Sequence, residues 1–268
     1  IKHTRLVCFT RQIYCNKGGD TVQDYELLNM DCLDYLKTIN DKSIDLVLID
    51  PPYEVSRNTN FQGGKETGRD TDRFRISMDF GEWDKEFDCL RAVIKECYRV
   101  LKTGGTLICF YDLWKITVLS DYFKEAKFKQ LRFIEWIKTN PVPINSKINY
   151  LTNAREIAIM GIKERKPTFN SEYDNGIYEE DGELYKFPIC HDKGRFHPTQ
   201  KPEDLISALI EKHSKIGDTV LDCFSGSGTT AVCALSLGRK FKGCELNRDY
   251  YEKSINRLNH ITKTERKD

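Results

Sequence analysis

No apolar run in this 268-residue chain approaches the roughly 20 residues that span a bilayer, so a membrane-spanning helix is excluded. Nor does charge of one sign dominate. Lys and Arg total 42 against 41 Asp and Glu, so the protein does not hold nucleic acid by bulk charge. Any nucleic-acid surface must be a local patch. The 10 cysteines are scattered and form no C-x-x-C pair, which argues against a disulfide framework and against zinc ligands in cluster. They read as buried or free thiols in a reducing, cytoplasmic compartment, with no metal expected. Residues 1–19 are basic, contain no acid and lack the apolar core of a signal peptide. Residues 1–24 are therefore taken as an N-terminal extension, with a transit peptide as the alternative. Internal repeats and long linkers are missing too, so residues 25–268 are expected to form one domain.

What is present, from Tyr25 onward, is an α/β alternation. Strands are expected at Tyr25–Asn29, Ile44–Ile49, Thr106–Phe110, Leu131–Ile137, Thr219–Cys223 and Lys240–Glu245. Between and after them, helices are expected at Cys32–Ile39, Phe87–Leu101, Leu113–Ala126, Pro202–His213, Ser227–Leu237 and Arg248–His260. Short apolar runs bounded by turn residues suggest buried parallel strands, and the alternation suggests helices covering both faces of one sheet. Two stretches break the rhythm. Glu54–Phe80 carries three glycines, five basic and five acidic residues with little periodicity, as a mobile loop over a site would. Asn140–Phe196 is rich in Pro, Asn, Tyr and charge. Overlapping its start, Lys138–Lys166 has six basic residues against two acidic, whereas Glu172–Glu183 within it has six acidic and no basic ones. The first suits phosphates and the second should face away from them.

Asp222-Cys-Phe-Ser-Gly-Ser-Gly-Thr-Thr230 lies between an apolar strand and a helix. There, glycines let a ligand approach the backbone and the helix start favours an anion. Glu245 closes the next strand, where an acid can take ribose hydroxyls. Gly226–Ala231 also satisfies the dinucleotide fingerprint, which keeps a nicotinamide or flavin site open. Only Val232–Asp268 follows it, however, too little for the strands that normally complete a dinucleotide fold after its first turn. The rest of the sheet must come from earlier sequence.

Asp50-Pro51-Pro52-Tyr53 ends an apolar strand in a rigid turn that lacks two N–H donors. The Asp50 carboxylate and the Pro51 carbonyl can together accept both hydrogens of a planar amino group, and Tyr53 can stack on the ring that bears it. A structural Pro-Pro turn with a surface Tyr is the alternative. His197-Pro-Thr-Gln-Lys-Pro202 opens a helix, with Thr199, Gln200 and Lys201 able to donate to a carboxylate.

Taken together and in this order, these motifs resemble the β-class exocyclic-amino DNA methyltransferases, in which the catalytic half precedes the cofactor half. The resemblance runs from about Tyr25 to about Leu258. Asn29-Met-Asp-Cys-Leu33 is similar to the family segment whose Asp touches the adenine of S-adenosylmethionine, which points to Asp31 with Cys32 beside it. Asp79–Asp84 and Trp136-Ile-Lys-Thr-Asn-Pro141 also resemble family segments, and the latter makes Trp136, Lys138 and Asn140 candidates for the target-base pocket.

The resemblance implies an S-adenosylmethionine-dependent methyltransferase (Rossmann-like) fold, with a seven-stranded, mostly parallel sheet and helices on both faces. Phe224, Gly226, Ser227, Gly228, Thr229 and Thr230 would surround the methionine end of the cofactor, and Asp222 its amino group. Glu245 would bind the ribose, and Lys201 with Thr199, in the His197 segment that includes Gln200, the carboxylate. Asp50, Pro51, Pro52 and Tyr53 would be catalytic, with in-line methyl transfer to a flipped base and no metal. Asp at position 50 resembles the adenine-N6 enzymes more than the cytosine-N4 ones.

Residues 163–196 would form the target-recognition insert, aided by loop 54–80. Arg57 and Arg73, with Arg69 and Arg75, are candidates for phosphate contact or for plain solvated charge. DNA is the expected partner, with a homodimer and a cognate restriction endonuclease as further possibilities. Methylation of RNA or of a protein glutamine, and a catalytically silent DNA-binding subunit, are the competing functions. The glutamine enzymes place the glycine loop before the clamp and use Asn where this chain has Asp50.

Overall fold

The computed structural model describes residues 14–15, 21–22, 25–52, 89–138, 154–171, 176–178 and 200–264. A two-residue pair, β1 (Tyr14–Cys15) and β2 (Thr21–Val22), stands ahead of the main sheet. Then follow β3 (Tyr25–Leu28), α1 (Cys32–Thr38), β4 (Ile44–Ile49), α2 (Leu90–Val100), β5 (Leu101–Tyr111), α3 (Ile116–Glu125) and β6 (Lys129–Ile137). The chain continues through β7 (Arg155–Ile162), β8 (Ile177–Tyr178), α4 (Glu203–His213), β9 (Thr219–Asp222), α5 (Thr229–Ser236), β10 (Lys240–Cys244) and α6 (Arg248–Thr264). The sheet order is β3-β10-β9-β4-β5-β7-β6-β8. Neighbours run parallel except that β7 is antiparallel to both β5 and β6. Seven substantial strands are present as expected, and β8 adds a two-residue edge.

The pleat sends successive side chains to opposite faces, both of which are covered, with the alternation on β4 broken between Ile44 and Leu46. On β4, Ile44, Val47 and Ile49 join Leu107 and Cys109 of β5 against α1, α2 and α3. Leu46 and Leu48, with Ile108 and Phe110, point the other way toward α4, α5 and α6. Each such side chain contributes about 1.5–3 kcal/mol by leaving water. In α2, Leu90, Val93, Ile94, Cys97 and Val100 recur at helical spacing and form its buried stripe. Two cations close helix ends. Arg99, on α2, donates to the α1-terminal carbonyls of Ile39 (2.9 Å) and Leu36 (2.7 Å), and buried Lys163 donates to that of Leu101 at the end of α2 (2.7 Å).

Two local differences from the sequence reading have physical causes. Gly104-Gly105 sits in a bulge inside β5, where the register on β4 jumps from Ile44↔Leu101 to Leu46↔Thr106. Gly104 adopts φ +82°, and a Cβ there would lie 2.5 Å from the Lys166 carbonyl oxygen. Within the irregular stretch Asn140–Phe196, Arg155–Ile162 is a central strand, β7. Its apolar run is shortened by the leading Arg155-Glu156 pair and follows a Pro- and Asn-rich segment, which hid it. The short β8 falls in the expected insert 163–196 and pairs with β6.

Candidate active site

The carboxyl ends of β3, β10, β9 and β4 lie side by side, and an acid follows or closes each one. Asp31 follows β3, Glu245 follows β10, Asp222 ends β9 and Asp50 follows β4. Between β9 and β4 the chain connections diverge: α5 leads from β9 to β10 on one side, and α2 from β4 to β5 on the other. Such a switch point opens a crevice at the strand ends where open α/β sheets bind ligands. Four acids distant in sequence are thus brought to one sheet edge.

The glycine loop is held from several directions. Glu245 Oε2 accepts from the Gly226 amide at 2.8 Å, and Oε1 accepts from that of Asn247 at 2.8 Å. Asp222 Oδ1 accepts from the Phe224 amide at 2.9 Å. From α6, Ser254 Oγ donates to the Gly226 carbonyl at 2.8 Å, and Arg257 donates to that of Ser227 at 2.9 Å and to Thr229 Oγ1 at 3.1 Å. Arg257 is itself anchored by an ion pair with Glu203 on α4. Gly228 caps α5 at φ +74°, and a Cβ there would come within 3.1 Å of Ser254 Cβ. Ser227, Thr229 and Thr230 are buried in this turn.

Burial acts on the two acids beside the loop. Desolvation pushes the Asp222 carboxyl up to about 7, against hydrogen bonds from Thr230 and the Phe224 amide. Glu245 is raised as well, by burial that its backbone hydrogen bonds only partly offset. Asn29 steadies this corner by donating to the carbonyls of Glu245 (2.7 Å) and Leu246 (2.9 Å). Asp31 caps α1, its Oδ1 accepting from the Leu33 amide at 2.8 Å. Cys32 is buried behind it.

On the β4 side, Lys201 pairs with Asp50 and lies 3.0 Å from Glu156 Oε2. Glu156 Oε1 is in turn 2.6 Å from Lys138 Nζ. Burial opposes the Lys201 charge, yet Asp50 and Glu156 hold its pKa above the ordinary value. Burial alone would raise Glu156, but Lys201 and Lys138 hold it below the usual carboxylate range. The ammonium of Lys201 sits 5.0 Å from the Phe110 ring centroid, and that of Lys138 5.2 Å from the Trp136 ring.

A family model described as DNA methylase matches residues 44–256. The chain belongs to the N6/N4 DNA methylase family. Type II methyltransferase M.HinfI of Haemophilus influenzae is 34% identical over 253 residues, covering 88% of this chain and 68% of that protein. Type II methyltransferase M2.DpnII of Streptococcus pneumoniae is 33% identical, covering 87% and 88%. Among solved structures, the M1.HpyAVI–SAM complex superposes with a TM-score of 0.63 at 24% identity, covering 87% of this chain and 99% of that one. PvuII DNA methyltransferase, cytosine-N4-specific, gives 0.67 at 18% identity, covering 87% and 85%. These two likenesses establish the fold.

In this DNA methylase the structure gathers Asp31, Cys32, Asp50, Pro51, Pro52, Gln200, Lys201, Asp222, Phe224, Gly226, Ser227, Gly228, Thr229, Thr230 and Glu245 at or behind the strand-end crevice. Lys201 is engaged by Asp50 and Glu156. Trp136 is only 2% exposed and packs in the core on the α4 face, with Lys138 beside it at the end of β6. Tyr53, Arg57, Arg73, Asn140, His197 and Thr199 lie outside the described residues. Sequence reasoning missed Glu156, Asn29, Ser254 and Arg257. A charged residue directly ahead of the apolar run of β7 could have drawn attention to Glu156, whereas nothing in the polar pattern of α6 singles out Ser254 or Arg257. Cys32, Cys97, Cys109, Cys223, Cys233 and Cys244 are buried free thiols, as expected. Among the described residues, no three metal-ligating side chains converge, and no helix is long and apolar enough to cross a membrane.

Proposed function

We propose that this DNA methyltransferase uses S-adenosylmethionine to methylate the exocyclic N6 of adenine in DNA. The observation that carries the proposal is the juxtaposition of Asp50-Pro51-Pro52 with Asp222 and the glycine loop across the β4–β9 switch point. The residues fit the cofactor. Asp222 is a buried carboxylate with no ion-pair partner among the described residues, and a cationic amino group would supply one. Glu245 retains lone pairs for a ribose diol beyond those its backbone amide partners use. When bound, S-adenosylmethionine supplies a methyl group activated by a sulfonium. Asp50 and the Pro51 carbonyl accept the two amino hydrogens of the target, holding both N–H bonds off the ring plane and so localising the nitrogen lone pair toward the methyl group. Tyr53 stacks on the extruded base, at about 1–3 kcal/mol, against an unstacking cost of a few kcal/mol. Asp50 orients and polarises and need not be a strong base, since the methylated nitrogen is itself acidic.

Residues 163–196 and loop 54–80 supply sequence recognition in this scheme. The names of the relatives, Type II methyltransferases, favour service beside a restriction endonuclease, and a homodimer is compatible with it. Cytosine-N4 is the second reading, since the cytosine-N4-specific PvuII enzyme shares the fold. Incubation with isotopically labelled S-adenosylmethionine and mixed-sequence DNA, followed by nucleoside analysis, tests both. Label in N6-methyladenosine is expected; label in N4-methylcytidine would keep the mechanism and overturn the base.

A further inference from the structure

Four charges of alternating sign cross the sheet at its carboxyl edge. Asp50 follows β4, Lys201 enters α4, Glu156 lies on β7 and Lys138 follows β6. Lys201 bridges the gap over β5, its ammonium against the Phe110 ring, and is 7% exposed. Asp50 retains 23% exposure of its side chain and is the end of the row that opens to the crevice. Glu156 faces Trp136 across the β6–β7 ladder, so the backbone of a central strand fixes its position.

Methyl transfer to an amino nitrogen moves a positive charge. The carbon–sulfur bond breaks with its electron pair left on sulfur, and the nitrogen lone pair forms the new carbon–nitrogen bond. The nitrogen then carries the charge until it loses a proton. A carboxylate beside that nitrogen favours the transfer, but a carboxylate already paired with an ammonium is largely neutralised. Asp50 is paired with Lys201 in this way, and Glu156 is the next charge beyond it.

We propose that Glu156 is a positioning residue for the reaction at Asp50. It holds Lys201 in place over Phe110 and offsets its charge, so that Asp50 meets the target nitrogen as an effective anion. The role depends on Asp50 accepting the target amino group, as proposed above. Lys138, on the far side, keeps Glu156 ionised and stands one charge further along the row from Asp50 than Glu156 does.

The test separates charge from shape. Glu156→Gln keeps the shape and loses the charge, whereas Glu156→Asp keeps the charge and shortens the side chain. With saturating DNA and S-adenosylmethionine, Glu156→Gln is expected to lower kcat 10–100-fold while the Kd for S-adenosylmethionine stays within threefold. Glu156→Asp is expected to retain a kcat at least fivefold higher than Glu156→Gln. A packing role would give the opposite order, and that order, or a Gln variant within twofold of wild type, overturns the proposal. Should Glu156→Gln fail to fold by circular dichroism, Lys138→Met/Glu156→Gln replaces it, since it strands no charge. Its kcat is expected at least fivefold below wild type, and a wild-type kcat there overturns the proposal. Asp50→Asn in the same assay distinguishes the two levels. An active Asp50→Asn sinks the Asp50 assignment itself, whereas an inactive one beside a fully active Glu156→Gln sinks only the role of Glu156.

Discussion

Asp222 and Asp50 close neighbouring parallel strands, with Leu221 of β9 in register with Val47 of β4, so two carboxylates face one crevice from its two sides. Among the described residues, of the two only Asp50 has an ammonium beside it. Asp222 is instead pushed up to about 7 by burial first, with the charges of Asp50 and Glu245 adding to the shift.

That asymmetry is expected to make cofactor binding pH-dependent. In the binding mode proposed above a cationic amino group meets the Asp222 carboxylate, so below about pH 7 binding would first release a proton. Affinity for S-adenosylmethionine is expected to weaken about tenfold per pH unit well below 7 and to level off above it. Asp222→Asn should flatten this profile. The stability of the free protein runs the other way. A carboxyl whose folded pKa lies above its unfolded 3.8 stabilises the protonated fold, and that contribution is lost as pH rises from about 4 to 7. Without cofactor at pH 8, Asp222→Asn should therefore melt higher than wild type while binding S-adenosylmethionine more weakly. Calorimetric titration across pH 5.5–8.5 and thermal melts check both halves, and a pH-independent Kd in the wild type would sink the assignment.

The parts legible in the sequence were those in which local pattern and burial agree. Ile44–Ile49 and Thr219–Asp222 are apolar because both faces of the sheet are covered, and each runs into an acid whose place at a strand end is then fixed. Gly226 and Gly228 announced a tight turn, and both adopt positive φ. What pattern could not supply was pairing across long sequence separations. Lys201 reads from the sequence as a ligand donor, and only the fold shows it to be the partner of a residue 151 positions away. The strand β7 was missed because it runs antiparallel between β5 and β6 and follows a Pro- and Asn-rich stretch with no helix leading into it. Glu156 was lost with it.

Arg257 is expected to govern cofactor affinity without touching the reaction. Its guanidinium fixes the Ser227 carbonyl and Thr229 Oγ1 while Glu203 fixes the guanidinium. Arg257→Ala leaves that carbonyl and hydroxyl without this donor, a loss of about 1–3 kcal/mol in stability. The loop then samples more conformations, so the Kd for S-adenosylmethionine should rise 5–50-fold while kcat at saturating cofactor stays within about threefold. Lysine, with a point charge in place of a planar fork, should restore only part of the affinity. Fluorescence titration with steady-state kinetics checks this, and a fall in kcat larger than the rise in Kd would contradict it.

Tyr53 provides the complementary case, because it follows the Asp50-Pro51-Pro52 turn and takes no part in the cofactor loop. If its ring stacks on the extruded base, Tyr53→Ala should lose most turnover, while the Kd for S-adenosylmethionine stays within about twofold. Tyr53→Phe should keep most activity, since stacking needs the ring and not the hydroxyl, whereas Tyr53→Leu, apolar but unable to stack, should resemble alanine. The loss equals the stacking contribution, about 1–3 kcal/mol, together with whatever misalignment follows when the base is held less firmly. Placing a mismatched or unpaired base at the target position lowers the extrusion cost and should restore part of the lost turnover in Tyr53→Ala. Kinetics on matched and mismatched duplexes decide the matter: equal losses on both would separate Tyr53 from base extrusion, and loss of cofactor affinity alone would move it to the other side of the crevice.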